Sequence, residues 1–380
     1  MIYLDYASAT PVRKDVLEAM LPFFSTKFAN PSSIHSFGQK AHEAMESART
    51  SIATHLNANP SEIIFTGSGT ESINLAILGY VLSHKAEKKH IIISSIEHDA
   101  VSKTCFFLEK NHNVDLTILP VTKNGFIDPV QVKKALRPHT ILVSIIYANN
   151  EIGTIQNLSK IGQILKKRKI IFHTDACQAG SLLSLDVKKL GVDMLSLNAS
   201  KMYGPKGVGA LYVRSSIYLQ PLIYGGEQEN GFRSGTENVS AIVGFAKALD
   251  LAHKEKTKEW KRFFLLQKYF LKLLKNNLSS ISLNGSLENR LPNNVNISIE
   301  GVDSETLINY LSTENIFVSS GSACHAQTQE PSHVLLALGL SEAYVRSSIR
   351  FTFGKDTTKK DLKKVVQKLS SIVNSLRKIS

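Results

Sequence analysis

Cysteine is scarce: Cys105, Cys177 and Cys324 are the only three in 380 residues. Thiols so few and so scattered exclude a disulfide framework, and without a Cys-x-x-Cys pair a structural zinc site has no common ligand set. A reducing compartment suits such a chain and would leave a functional thiol free. Long apolar runs are also missing. None approaches the roughly 20 residues needed to cross a bilayer, so no membrane association is expected. The opening Met1-Ile2-Tyr3-Leu4-Asp5 lacks a basic stretch followed by an apolar one, so no secretory signal is expected and the default location is the cytoplasm. Internal repeats and low-complexity tracts are absent, which excludes solenoid and fibrous architectures.

With 43% hydrophobic and 20% charged residues, the chain instead reads as an ordinary globular protein. It is long enough for one large and one smaller domain. The net charge of +13 would attract nucleic acid or an acidic protein. However, no stripe of basic and aromatic residues accompanies it, and Lys359, Lys360, Lys363 and Lys364 fall together on one predicted helix. The charge therefore reads as solvated lysine faces, direct nucleic-acid binding is not expected, and an anionic cofactor or substrate would gain from the field.

Short β-rich runs punctuate the first two-thirds: Ile63–Phe65, Ile91–Ser94, Ile141–Tyr147, Ile170–His173, Met194–Leu197 and Val208–Val213. Segments of helical period, such as Gln131–Leu136 and Leu158–Lys167, lie between most of them. Alternating strand and helix predicts an α/β fold with a mostly parallel sheet covered on both faces. Ligands in such folds bind beyond the carboxyl ends of the strands. Thr70, His98, Asn150, Asp175 and Lys201 each follow one of these runs. From about Lys254 the texture changes to a smaller α+β unit. It has a lysine-rich helix over Trp260–Leu274, strands at Asn294–Ile299, Ile316–Val318 and Ser348–Phe353, a helix over Ser304–Leu311, and a closing amphipathic helix through Leu362–Leu376.

The segment from Ser196 to Gly207 ends a strand in small polar residues, then Lys201, then a Gly-Pro turn. A lysine desolvated at such a place has an amine fit for Schiff-base chemistry, although a lone loop lysine is usually just solvated. Asp175, one strand earlier, can pair with a protonated pyridine nitrogen or simply cap the next helix; Gln178 follows three residues on. Gly67-Ser68-Gly69-Thr70-Glu71-Ser72 opens a helix with small residues, suiting a single phosphate, yet is neither a Walker loop nor a dinucleotide fingerprint. His98 can stack on an aromatic cofactor or move protons. Arg350, within Ser348-Ile349-Arg350, can clamp a carboxylate or join an ion pair. Cys324 is the oddest of these residues, because Ser319 to Pro331 offers it no large apolar neighbour. Free cysteines are usually buried, so this thiol is expected in an exposed, mobile loop as a candidate nucleophile.

Taken in order, these motifs resemble the cysteine desulfurases of the NifS/IscS type, in the class-V, fold-type-I family of pyridoxal-phosphate enzymes. Leu4 to Pro11, Asn30 to His35, Gly69 to Ser72, Glu97-His98, Asn149 to Gly153, Asp175 to Gln178, Lys201 with Gly204 to Gly207, Arg233 to Asn238, the Cys324 loop and Ser348 to Arg350 follow one another as in that family. The resemblance implies a large cofactor-binding domain over 16–255. A small domain, 1–15 with 256–380, would carry the cysteine loop, 319–331. It implies pyridoxal 5'-phosphate held by Lys201, covered by His98, and paired through Asp175 at the ring nitrogen and Gln178 at the phenolic oxygen. Gly69, Thr70, Asn198 and Ser200 would hold the phosphate, with Thr236 reaching from a second subunit of a homodimer. Asn150 and Arg350 would bind the substrate carboxylate. Cys324 would take sulfur from L-cysteine as a persulfide, leaving L-alanine. An iron–sulfur scaffold or another acceptor protein would receive it, with tRNA thiolation as a further outlet.

The long segment after Cys324 resembles the subgroup whose cysteine swings from cofactor to acceptor. Ser200 stands where the family has histidine, so weaker cofactor retention is expected. Ser8-Ala9-Thr10-Pro11 replaces the usual Ala-Thr-Thr-Pro, and Glu227 and Asn230 replace a glycine and an arginine. Selenocysteine lyase or another class-V activity is the alternative enzyme reading, and a non-catalytic sulfur-carrier scaffold the alternative outside catalysis.

Overall fold

The computed structural model describes residues 1–321 and 330–379. After a two-residue strand, β1 (Ile2–Tyr3), the chain builds a seven-stranded sheet. Its strands are β2 (Ile63–Thr66), β3 (Lys89–Ser94), β4 (Val114–Leu119), β5 (Thr140–Ser144), β6 (Ile171–Asp175), β7 (Met194–Asn198) and β8 (Gly209–Val213), in the spatial order β2-β8-β7-β6-β5-β3-β4. Only β8 runs against the others, pairing antiparallel with both β2 and β7. This is the mostly parallel, mixed sheet that the alternating pattern predicts.

The strand residues divide by period two between two buried faces. Phe65, Ile92, Val143, Phe172 and Leu195 point into one core, and Ile64, Ile91, Leu142, Ile171 and Met194 into the other. Burial on both faces explains why the runs are continuously apolar. Strand β4 shows no continuous apolar run because its Val-Asp-Leu-Thr-Ile-Leu is only half-buried, whereas β2, at the opposite edge, is buried throughout.

A second sheet has the order β12 (Ser348–Thr352), β10 (Asn294–Ile299), β9 (Ile281–Leu283), and β11 (Ile316–Phe317) pairs with β1. Its core joins Val295, Ile297, Ile349 and Phe351 to Leu362, Val366, Leu369 and Val373 of the closing helix, Lys359–Ile379. The helix expected over Trp260–Leu274 is the second half of a 39-residue helix, Val239–Asn277. Ala241 to Leu249 pack in the first core and Phe263 to Leu274 in the second, so one rigid rod serves both. No helix among the described residues is long and apolar enough to cross a membrane.

Beneath the carboxyl edge of the large sheet, His173 is fully buried between Ser144 Oγ, 2.8 Å from Nδ1, and Ser196 Oγ, 3.1 Å from Nε2. Burial pushes its imidazole down to about 3 from the ordinary 6.5. The folded state therefore holds it neutral. Its contribution to stability is full above about pH 6.5 and is lost as pH falls toward 3. The stability difference between wild type and His173→Asn, measured by denaturant melts, should shrink with acidification at a slope approaching about 1.4 kcal/mol per pH unit. A pH-independent difference would refute this.

Candidate active site

Because β2, β3, β5, β6 and β7 are parallel, the residues following them converge on one edge. A cleft of about 320 Å³ opens there and is lined by Gly69, Thr70, His98, Asn150, Asp175, Gln178, Asn198, Lys201 and Arg350. Nine of the residues singled out from the sequence thus meet in one place. Ser200 is not part of that lining; it is buried, and its hydroxyl donates to Asn198 Oδ1 at 3.1 Å. Thr236 is exposed, in the loop before the long helix. Cys324 lies outside the described residues.

Lys201 ends a single 3-10 turn, Ala199–Lys201, directly after β7. Its Nζ donates to the carbonyls of Ala7 at 2.9 Å and Ser8 at 2.6 Å. Gln178 Nε2 donates to the same Ala7 carbonyl at 3.0 Å. Asp175 is the buried last residue of β6, and its Oδ1 accepts from the Cys177 amide at 2.9 Å, an Asx turn that fixes the carboxylate. His98 caps the helix Asp99–Asn111, with Nδ1 accepting from the Ala100 amide at 3.0 Å. In the neutral ring the proton then sits on Nε2.

Arg350, on β12, is almost wholly buried. Its Nη2 donates to Asp5 Oδ1 at 2.8 Å and Ser8 Oγ at 2.9 Å, and its Nη1 to the Asn150 carbonyl at 3.0 Å. The arginine is ion-paired with Asp5, buried and not at the surface, and it lines the cleft.

Ala7, Ser8, Glu97 and Cys177 also line the cleft. The Ala7 and Ser8 carbonyls lie in the Leu4 to Pro11 motif, but main-chain contacts leave no trace in residue type. Glu97 precedes His98 in the motif after β3. It lines the cleft, accepts from Ser94 Oγ and, at 2.9 Å, from the Ile146 amide, and its Oε2 has no partner among the described residues. Burial pushes its carboxyl up to about 8, with Asp175 adding to the rise, so it is mainly protonated at neutral pH. Cys177 also lines the cleft, but burial and then Asp175 hold its thiol well above the ordinary range. A thiol kept protonated is a poor nucleophile.

The chain matches the class-V aminotransferase family over residues 2–365. It is 49% identical over 379 residues to the cysteine desulfurase IscS of Dictyoglomus turgidum, covering 100% of this chain and 96% of that protein. The chain belongs to the class-V aminotransferases, among their cysteine desulfurases. The IscS of Methanosarcina thermophila is 44% identical over 380 residues, covering 100% of this chain and 93% of that protein. Among solved structures, a NifS-like protein superposes on this class-V chain with a TM-score of 0.93 at 35% identity, covering 98% and 99% of the two chains. SspA in complex with cysteine gives 0.82 at 43% identity, covering 93% of this chain and 99% of that one.

Class-V enzymes of this kind depend on pyridoxal 5'-phosphate, and so does this one. The cleft fits that group. A Cβ at Gly69 would stand 2.6 Å from Cys177 Sγ and 3.2 Å from Asn198 Cβ, so only glycine lets the helix start close down on the ends of β6 and β7. The first amides of a helix lack intrahelical acceptors, which makes this approach a cradle for a phosphate. An amine on Lys201 and a buried carboxylate on Asp175 complete a donor set for an aldehyde-bearing pyridine.

Proposed function

We propose that this chain is the L-cysteine desulfurase in which sulfur passes to Cys324, for delivery to iron–sulfur cluster assembly and, as a further outlet, to tRNA thiolation. The observation that carries the reading is one cleft holding Lys201, Asp175, His98 and Arg350, with Gly321 and Ser332, the residues flanking the Cys324 segment, beside it.

Bound pyridoxal phosphate supplies an electron sink for the charge that develops at the substrate Cα. Lys201 would hold the group, take the Cα proton and return one to the product. Asp175 would keep the ring nitrogen protonated, His98 would cover the ring, and Gln178 would reach its phenolic oxygen. Gly69, Thr70 and Asn198 would bind the phosphate, with Ser200 orienting Asn198 from beneath it. The substrate carboxylate would go to Asn150 and Arg350, where it would compete with Asp5 for Nη2. L-cysteine and the Cys324 thiol then give L-alanine and a Cys324 persulfide. The substrate C–S bond breaks, an S–S bond forms, and no external oxidant is consumed. Cys105, buried in the core, and Cys177, half-buried at the cleft, both have thiols pushed up, which supports assigning the nucleophile to Cys324.

A homodimer, with Thr236 completing the neighbour's phosphate site, is the second part of the proposal. The exposed apolar Phe24, Phe28, Ile34 and Tyr224 support a second copy covering them. The compartment proposed is the cytoplasm.

Cofactor-loaded protein given L-cysteine should release alanine and carry a trappable persulfide, and light scattering should return a dimer. Absence of alanine would sink the activity, and a monomer would sink the dimer. Faster turnover of L-selenocysteine than of L-cysteine would favour the lyase reading.

A further inference from the structure

Glu151 sits in the turn after β5, within Asn149-Asn150-Glu151, and is only 2% exposed. A carboxylate so deeply buried is costly unless donors surround it. Its main chain is fastened first. The Glu151 amide donates to Asn149 Oδ1 at 2.9 Å, and its carbonyl accepts from Asn294 Nδ2 at 3.1 Å and Asn296 Nδ2 at 3.2 Å, both on β10. The side chain is thereby aimed from a fixed base.

The carboxylate reaches both roots of the segment that bears Cys324. On the far side, Ser332 Oγ donates to Glu151 Oε2 at 2.5 Å while also capping the short helix His333–Ala337. On the near side, Gly321 packs so tightly that a Cβ there would stand 2.6 Å from the same Oε2. Arg350 Nη1 holds the Gly321 carbonyl at 3.3 Å, and His333 Nε2 lies 2.9 Å from the Glu97 carbonyl. Val334 and Leu335 pack on Ile96, Ile146 and Ile152. One carboxylate oxygen is thus the point at which the two roots meet.

We propose that Glu151 is a positioning residue for sulfur transfer: its carboxylate bonds Ser332 with Gly321 packed against the same oxygen, and so sets how the two ends of the intervening segment stand to each other. The proposal rests on Cys324 being the acceptor of sulfur. Glu151 itself carries no proton or sulfur in it. A nucleophile displaced by about 1 Å can lose about 10²-fold in rate, so loosening the roots should be felt in transfer and not in substrate binding.

The test compares wild type, Glu151→Gln and Ser332→Ala. Hydrogen exchange on cofactor-free protein should accelerate about tenfold in Glu151→Gln at both roots, 317–321 and 332–337. That factor corresponds to about 1.4 kcal/mol lost at each. Ser332→Ala should accelerate exchange at 332–337 alone. With cofactor and saturating cysteine, the single-turnover rate of persulfide formation, read by alkylation and mass spectrometry, should fall at least about tenfold in Glu151→Gln. Its cofactor absorbance and its half-saturating cysteine concentration should stay within about twofold of wild type.

The proposal is overturned if Glu151→Gln leaves either root unchanged or forms persulfide at the wild-type rate. It is likewise overturned if that variant loses cofactor, or if it raises only the half-saturating concentration, which would make Glu151 a substrate ligand. Should Glu151→Gln not fold, Gly321→Ala replaces it as the intrusion on the carboxylate from the other side, judged by the same transfer rate. A Cys324→Ser control separates the two claims. Persulfide forming elsewhere on the chain in that control would remove the acceptor assignment, whatever Glu151 does.

Discussion

Replacing Lys201 with alanine should reduce cysteine-to-alanine turnover by about 10³-fold or more, the scale of removing a positioned proton carrier. It should also abolish the visible band that depends on a lysine-bound cofactor. The structure gives the reason for expecting both at once. Lys201 is presented by the turn that ends β7, and its Nζ is steered into the cleft by two carbonyls, Ala7 and Ser8, at 2.9 and 2.6 Å. Among the described residues no second lysine lines that cleft. An alanine leaves the two carbonyls without their donor and the cofactor without its covalent tether. Added cofactor should therefore still occupy the phosphate cradle at Gly69 and the Asp175 carboxylate, but without turnover. Spectra under cofactor titration, followed by an alanine assay, check both halves. Turnover within tenfold of wild type would remove Lys201 from the mechanism.

Changing Cys324 to serine should separate sulfur transfer from everything before it. Persulfide should vanish, and alanine release should fall by roughly 10²-fold or more, since a hydroxyl is a far weaker nucleophile toward sulfur at neutral pH. Cofactor absorbance and the spectral response to cysteine should persist, because the Ala7 and Ser8 carbonyls still hold Lys201 and the Cys177 amide still holds Asp175. The two other cysteines are poor substitutes. Cys105 is enclosed by the core beside Ile93 and Val101, and Cys177, although it lines the cleft, has its thiol pushed up by burial and by Asp175. Mass spectrometry after alkylation distinguishes the three sites. Normal alanine release with persulfide on Cys177 would transfer the role to that residue.

Lys201→Ala and Cys324→Ser should thus fail at different steps, one before and one after the substrate meets the cofactor. Glu151→Gln should resemble the second, in milder form.

Much of this protein is legible in its sequence. Strands β2, β3, β5, β6, β7 and β8 were visible because each is buried on both faces, which demands an unbroken apolar run. Strand β4 was not, since its half-exposed residues relax that demand, while β2 at the other edge stays fully buried. The long helix was half visible. Its lysine-rich second half shows helical period, while Val239–Leu249 is apolar enough to pass for other buried elements. Lys201, Asp175, His98 and Asn150 announced themselves by following strands, and parallel pairing then brought them to one edge.

Sequence alone therefore determined the sheet, the family and the chemical groups of the cleft, because hydrophobic period and ordered motifs are local properties of the chain. Tertiary structure alone decided what holds those groups in place. The Ala7 and Ser8 carbonyls on Lys201 are main-chain contacts, blind to residue type. The Asp5–Arg350 pair and the meeting of Gly321 and Ser332 on Glu151 join residues remote in sequence. Only closure of the fold brings such partners within hydrogen-bond reach.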